Sequence, residues 1–497
     1  MDLAFVHKGY EDIGIEQLSA VLKQRGHRVR LFYDGSPFSS NVGLNSELLA
    51  RFLDEDEAAM KRRILDGLAA DPPDAVAFSC VTATWPWSAD MARRIKSRLG
   101  LPVIFGGAHP SAVPERVMEN PAVDVVVRGE GEWALAELLE SLSNGAFPDH
   151  AIPNTVFRQG AGLRMNPCRP YIADLDSLPY PDKDLFNDKV EVFYKYYMLM
   201  SGRGCPYACT YCGQSVNHTL YAHEKRHTRR RSVDHVVGEL ARAVAGHEVR
   251  YVSFRDDIFT MDAGWLAEFA EKYPQRVGVP FFCYSHPAVL NERAVELLAR
   301  AGCRQVKVGI QSFSKAMLTD VMGRPVFGNE IFRLRDAFSC HGIGFLVDHM
   351  LGMPGQTEQD LVEAVRKYIE MKPDSISGFY LVYFPKTRII DLARNCGLLD
   401  AADVDAIERG EGYAEAGYPS PEARKSDTRM LKYQYYLDVI PILPRAVSRM
   451  LLKTRALHAL PYSTTLRQAL LLLHDVVKGD IRLRYFSWYI FAKKNLP

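Results

Sequence analysis

The feature that most constrains this chain of 497 residues is a rhythm that runs twice and breaks once. Short apolar runs alternate with helix-compatible segments. The first set is LAFVH, RVRLFYD, AVAFS, PVIFGG and DVVVRG, and the second is YYMLMS, VRYVSF, VPFFCYS, QVKVGIQS, GFLVDHMLG and SISGFYLVYF. Near-continuous apolar strands separated by helices describe parallel sheets covered on both faces. The first set predicts an α/β, doubly wound, Rossmann-like domain over residues 1–145. Its first helix carries Ile15, Leu18 and Leu22 on one face and stops at Gly26. The second set has six βα units and predicts a partial (β/α)6 barrel over 191–388. Between them, 146–190 is Pro-rich and polar and reads as an interdomain connector. Beyond Pro385 the strand signals fade, and 389–497 reads as a mainly helical region that forms a substrate pocket wall or lid.

Charge and cysteine usage narrow the class. Lys and Arg total 61 against 60 Asp and Glu, a net charge of +1. That balance argues against a protein that tracks a phosphate backbone, so no nucleic-acid partner is expected and a small-molecule one is. No apolar run reaches the ~18 residues of a membrane span, and no signal segment opens the chain, so a cytoplasmic protein without stable membrane insertion is expected. Nine cysteines at irregular spacing fit metal ligation or free thiols better than a disulfide framework.

The most specific local pattern is SGRGCPYACTYC, which places Cys205, Cys209 and Cys212 at C-x3-C-x2-C spacing just after the predicted strand YYMLMS. Loops at the carboxyl ends of barrel strands are site positions. Three thiolates on one loop can each take one iron of a four-iron four-sulfur cubane, which leaves the fourth iron open to chelate a ligand. The alternatives are three unrelated thiols or a zinc site, although structural zinc takes four ligands and no second cysteine pair follows.

With Arg203, Gly204 and Tyr211 in place, this loop resembles the radical S-adenosylmethionine (SAM) superfamily. The resemblance continues through FRDDIFT, KVGIQSFS, MGRP and MLGMPGQT over roughly 150–385. It implies that the open iron binds the amino and carboxylate groups of SAM. It puts Asp256 and Asp257 near the amino group or ribose, and Gly309, Gln311 and Ser312 beside the ribose. Ser285, Arg324 and the Met350–Gly352 backbone are further candidates. An Asp at a strand end serves equally well as a helix cap.

Residues 1–145 resemble a cobalamin-binding domain through EDIG, FSCVTAT, GGAHPS and VVRGEGE. The resemblance places corrinoid contacts at Glu11, Asp12 and Gly14, at Ser79, Val81 and Thr82, at Gly106, Gly107 and His109, and at Gly129, Glu130 and Glu132. Gly106 and Gly107 would admit a large flat ligand close to the backbone. Domains that ligate cobalt by histidine carry D-x-H-x-x-G, and here Glu11 stands at the histidine position. That implies a lower ligand of carboxylate or water, with His7 and His109 as the alternative donors. The basic run Lys225–Ser232 reads as a phosphate site or as a brace for the cluster loop. RLRYFSWYIFAKK near the C-terminus reads as core, a cover over the barrel mouth, or a lipid contact.

Together these resemblances imply an enzyme that uses a 4Fe-4S cluster, SAM and methylcobalamin, reduced by an external donor such as flavodoxin or ferredoxin. The reaction expected is methyl transfer to an unactivated carbon or phosphorus of a small-molecule biosynthetic intermediate. Cobalamin-dependent oxidative cyclisation or rearrangement is the rival. A non-catalytic cobalamin sensor is the alternative from outside enzymes, and it would have no use for the cysteine triad.

Overall fold

The structure, a computed structural model, describes residues 1–9, 11–34, 57–148, 151–189, 192–411 and 428–478. The segment RLRYFSWYIFAKK lies outside the described residues, as does part of the region 389–497. Seven strands form the first sheet: β1 (Asp2–Lys8), β2 (Arg28–Asp34), β3 (Ala75–Ser79), β4 (Val103–Gly106), β5 (Val125–Val127), β6 (Thr155–Gln159) and β7 (Gly162–Met165). Their order is β2-β1-β3-β4-β5-β6-β7, with β1 to β5 parallel and the last two antiparallel. The chain reverses direction across the sheet at β1 and β3, and ligands bind at such switch points outside the carboxyl ends of strands.

Alternation along β1 sends Leu3 and Phe5 into one core, with Ile15 and Leu22 of helix Ile13–Gln24. Ala4 and Val6 enter another, with Ile64 of helix Glu57–Ala70 and Met91 of helix Trp85–Leu99. The sheet does not end at residue 145: β6 and β7 fall inside the stretch read from sequence as a connector. All four residues of β7 are exposed, so no apolar alternation marks it. The rest of that stretch is anchored as well. Lys183 is buried between Glu11 (2.7 Å) and Glu16 (2.6 Å), which fastens the stretch to the first helix.

The second sheet contains β8 (Tyr196–Leu199), then β11 (Tyr251–Phe254), β12 (Phe281–Ser285), β13 (Cys303–Gln311), β14 (Gly344–Leu351) and β15 (Ser375–Tyr380), parallel and in that spatial order. A separate two-stranded ribbon, β9 (Gly202–Arg203) with β10 (Arg229–Arg230), lies at its first end. Val252, Phe254, Phe281, Val306, Val308, Phe345 and Val347 pack under the covering helices, which leaves the alternate residues on the inner wall. The helices start where side chains meet their free amides: Ser232, Asp262, Asn291 and Thr357 each accept from a backbone N–H of the first turn. After β15 the described chain is helical, and Gln434 ties it to the last strand by donating to the Gly378 carbonyl at 2.9 Å. Among the described residues no helix is long and apolar enough to cross a membrane.

Candidate active site between the two sheets

The cysteine loop follows β8 at the carboxyl end of the second sheet. Gly204 has φ +84°, and a Cβ there would sit 1.8 Å from the His227 carbonyl oxygen, so only glycine lets the two segments meet. His218 Nε2 lies 2.8 Å from the Cys205 carbonyl, and Cys212 N donates to Cys209 O at 3.1 Å. Arg324 spans from this loop to β13: Nη1 donates to the Tyr211 hydroxyl at 2.9 Å and lies 3.8 Å from Cys209 Sγ, while Nη2 donates to Gly309 O at 2.6 Å. Cys209 is buried and the other two thiols are half-buried. Burial pushes Cys205 up to about 12 and Cys212 up to about 11, and both also feel the charges of Cys209 and Asp257. The Asp257 carboxylate is thus close enough to Cys205 and Cys212 to raise both thiols. A cubane takes one thiolate at each of three irons, so its ligands need not meet at one point. Among the described residues no three His, Cys, Asp or Glu side chains do.

The SAM candidates separate into two groups. Asp256 is buried and accepts from Ser201 N (3.0 Å) and Oγ (2.6 Å), which makes it a brace for the start of the cysteine loop. Asp257 caps no helix, because Asp262 does that. Its carboxylate lines a cavity of about 500 Å3 with Arg203, Gly204 and Arg230, and accepts from Gln214 Nε2 at 2.8 Å, while burial and the Asp256 charge push it up to about 6. Gln311 ends β13 at φ +66°, a conformation non-glycine residues avoid, and its Oε1 is buried without a hydrogen bond. Strain of that kind persists where the surrounding structure imposes it, commonly at ligand sites. Ser285 shares a 2.6 Å hydroxyl contact with Thr260. Ser312 accepts from Ser314 N, and Gly352 donates to Gln356 Oε1, so both shape turns.

Facing the loop is a second cavity, of about 380 Å3, lined by Gly14, Ser79, Gly106, Gly107, Gly129, Glu130 and Glu132 from the first sheet. Gly202, Arg203, Gly204, Gln214 and Tyr221 line it from the second, and Phe5, Ile104 and Leu135 form an apolar floor. A Cβ on Gly106 would find no atom nearer than 3.7 Å, so the space there is open to a ligand. Gly107 differs: its Cβ would meet Cys80 N and O at 2.7 Å, which makes it a requirement of the chain's own packing. Asp12 caps helix Ile13–Gln24 through Gly14 N and Ile15 N and accepts from Ser79 Oγ at 3.0 Å.

Several of the expected corrinoid contacts and cobalt donors have other partners in the structure. Glu11 is absent from the cavity lining and is held by Lys183, so it is no cobalt ligand. His7 lies between Tyr33 (6.1 Å) and Phe186 (5.7 Å), also away from the cavity. His109 is buried on Trp85, 3.3 Å from Thr82 Oγ1, and burial pushes it down to about 4. Glu130 and Glu132 do line the cavity, but their carboxylates receive Arg203 and Arg229. Val81 is half exposed outside the lining. The basic run is a brace: Arg229 lies 4.0 Å over the Tyr171 ring, Arg230 lies 4.1 Å over Trp265, and Arg231 pairs with Glu239. Tyr221 was not singled out in the sequence, and no local signal marks it.

Comparison with known proteins agrees with this geometry. Residues 4–139 match the B12 binding domain family, and residues 199–368 match the radical SAM superfamily. An uncharacterized methyltransferase of Pyrococcus horikoshii is 27% identical over 353 residues, covering 67% of this chain and 74% of the relative. The anaerobic magnesium-protoporphyrin IX monomethyl ester cyclase of Rubrivivax gelatinosus is 22% identical over 445 residues, 83% of this chain and 75% of the relative. In fold, the radical SAM methyltransferase TsrM from Kitasatospora setae superposes with a TM-score of 0.62 at 19% identity, over 80% of this chain and 77% of that one. A cobalamin domain joined to a radical SAM half-barrel defines a class of enzyme. The chain belongs to the cobalamin-dependent radical SAM enzymes, whose cofactors are a 4Fe-4S cluster, SAM and cobalamin.

Proposed function

We propose that this enzyme methylates an unactivated carbon or phosphorus of a small-molecule biosynthetic intermediate. The observation that carries the reading is one cavity lined on one side by Gly106, Gly107 and Gly129 of the first sheet and on the other by Gly202, Arg203 and Gly204, which lead into the thiol triad. When bound, the cluster supplies the electron that cleaves SAM to a 5′-deoxyadenosyl radical, and cobalamin supplies the methyl group. Cys205, Cys209 and Cys212 hold the cluster, and Asp257 and Gln311 orient SAM. Gly106 leaves room for the corrinoid face. On the inner wall, Tyr284, Lys307 and Asp348 face the substrate, with Lys307 and Asp348 paired at 3.2 Å. An external flavodoxin or ferredoxin delivers the electron, and the enzyme works in the cytoplasm.

The test is anaerobic reconstitution with SAM carrying a trideuterated methyl group, a reductant and extracts of small-molecule intermediates, followed by mass analysis. A product that gains the labelled methyl supports the proposal. A product that loses hydrogen or gains oxygen without the label supports oxidative cyclisation, the second reading, favoured by the likeness to the cyclase across 83% of the chain.

A further inference from the structure

Arg203 stands two residues before the first thiol, yet its side chain is held by the opposite domain. Nη1 donates to Glu130 Oε1 at 2.9 Å, and Nη2 donates to Glu132 Oε1 at 2.6 Å. Glu130 is gripped from two further directions, by Arg229 Nη1 on Oε1 at 2.7 Å and by Ile172 N on Oε2 at 2.8 Å. The two guanidinium charges hold the Glu130 carboxyl below the usual range although burial works against them, so it stays charged. Charge-assisted bonds from a guanidinium are stronger than neutral ones, and its planar fork fixes their direction. Tyr221 closes the joint: its hydroxyl accepts from Glu130 N at 2.8 Å and lies 2.0 Å from where a Cβ on Gly129 would be. The loop Gly129–Glu132 therefore cannot move without moving β9 and the cysteine loop behind it.

We propose that Arg203 is a positioning residue that couples the two cofactor sites. The loop it grips lines the corrinoid cavity, and the strand it belongs to leads directly into Cys205. Two ligands that bind opposite sides of one rigid joint bias the same element, and the resulting coupling is reciprocal. Cluster assembly then favours cobalamin binding, and cobalamin favours the cluster-competent loop. The inference rests on the reading that these two places take the two cofactors.

The test uses the full chain, with iron either loaded or removed by a chelator, and hydroxocobalamin as the probe. In the wild type the cluster-loaded protein should bind hydroxocobalamin roughly 5- to 150-fold more tightly than the cluster-free protein. Arg203→Gln and Glu132→Gln should bring that ratio close to one. Arg203→Lys, which keeps the charge without the fork, should fall between. If Arg203→Gln does not fold, as judged by circular dichroism, Glu132→Gln decides alone, since it removes one leg and leaves Glu130 in place. Equal affinities in the two wild-type forms, or a ratio unchanged in the folded variants, overturn the coupling. Failure of the wild type to take up either cofactor at all would instead overturn the assignment of the sites.

Discussion

Replacing Gly204 by Ala should remove the cluster while leaving the fold in place. The residue sits at φ +84°, where a side chain costs about 1–2 kcal/mol. The new Cβ would also lie 1.8 Å from the His227 carbonyl oxygen, which must retreat by about 1.2 Å to reach even the 3.0 Å that real Cβ atoms tolerate. That retreat opens the β9–β10 ribbon, whose two residue pairs hold the loop, at about 1 kcal/mol for each hydrogen bond lost. The sum is about 3–4 kcal/mol, concentrated beside Cys205. The assay is iron and sulfide content per chain, with the absorption near 400 nm, after anaerobic reconstitution; circular dichroism reports the fold. Gly100→Ala is the control, because Gly100 has φ +68° and nothing within 4 Å, so it bears the conformational cost alone. If Gly204→Ala binds as much iron as Gly100→Ala, the contact with His227 does not govern the loop and the reasoning is wrong.

Other outcomes follow from neighbouring geometry. Gly106→Val should weaken hydroxocobalamin binding at least tenfold with little change in melting temperature, whereas Gly107→Ala should destabilise the first domain even without ligand, because Cys80 backbone stands 2.7 Å from its Cβ. Asp257→Asn should weaken SAM binding in equilibrium dialysis with the cluster absorption intact, while Asp256→Asn should disturb the cluster itself through Ser201. Asp438, buried beside Arg467, is pushed up from 3.8 to about 6 chiefly by burial. The folded state thus keeps a proton that the unfolded chain has already released, so this residue's contribution to stability falls as pH rises from about 4 to about 6. The whole span is worth about 3 kcal/mol. Asp438→Asn should flatten that dependence in melting curves, and a decline identical to the wild type's would exclude Asp438 as its source.

Local patterns carried the parts of the molecule that sequence could reveal. The strands of both sheets are legible because helices cover them on one or both faces, which demands apolar runs, and the thiol triad is legible because its ligands lie within eight residues. Other assignments failed where the deciding partner is remote. Glu11 meets Lys183 across 172 positions, Glu132 meets Arg203 across 71, and Glu130 meets Arg229 across 99. Gly106 and Gly107 are adjacent and identical in type, and only the Cys80 backbone opposite tells a ligand-facing glycine from a packing one. The ribbon formed by β6 and β7 was invisible because its last strand buries nothing.

The same distinction explains why the two-domain frame is readable and the substrate is not. The proposed contacts to the cofactors lie at strand ends and in loops, fixed by glycine conformation, helix caps and the Arg203 joint, so substituting them disturbs backbone geometry. The proposed substrate wall is different. Tyr284, Lys307 and Asp348 alternate with Cys283, Val306 and Val347, which supply the core on the opposite face of the same strands. A residue on the inner face can change its chemistry while its neighbours keep the sheet packed. Arg255 donates to the Tyr284 hydroxyl at 3.0 Å, and Lys307 lies 5.5 Å over the Phe379 ring, so polar and aromatic groups already meet on that wall. Methylating and cyclising enzymes can therefore share this frame, and under the proposed reading the choice between them falls to these inward side chains.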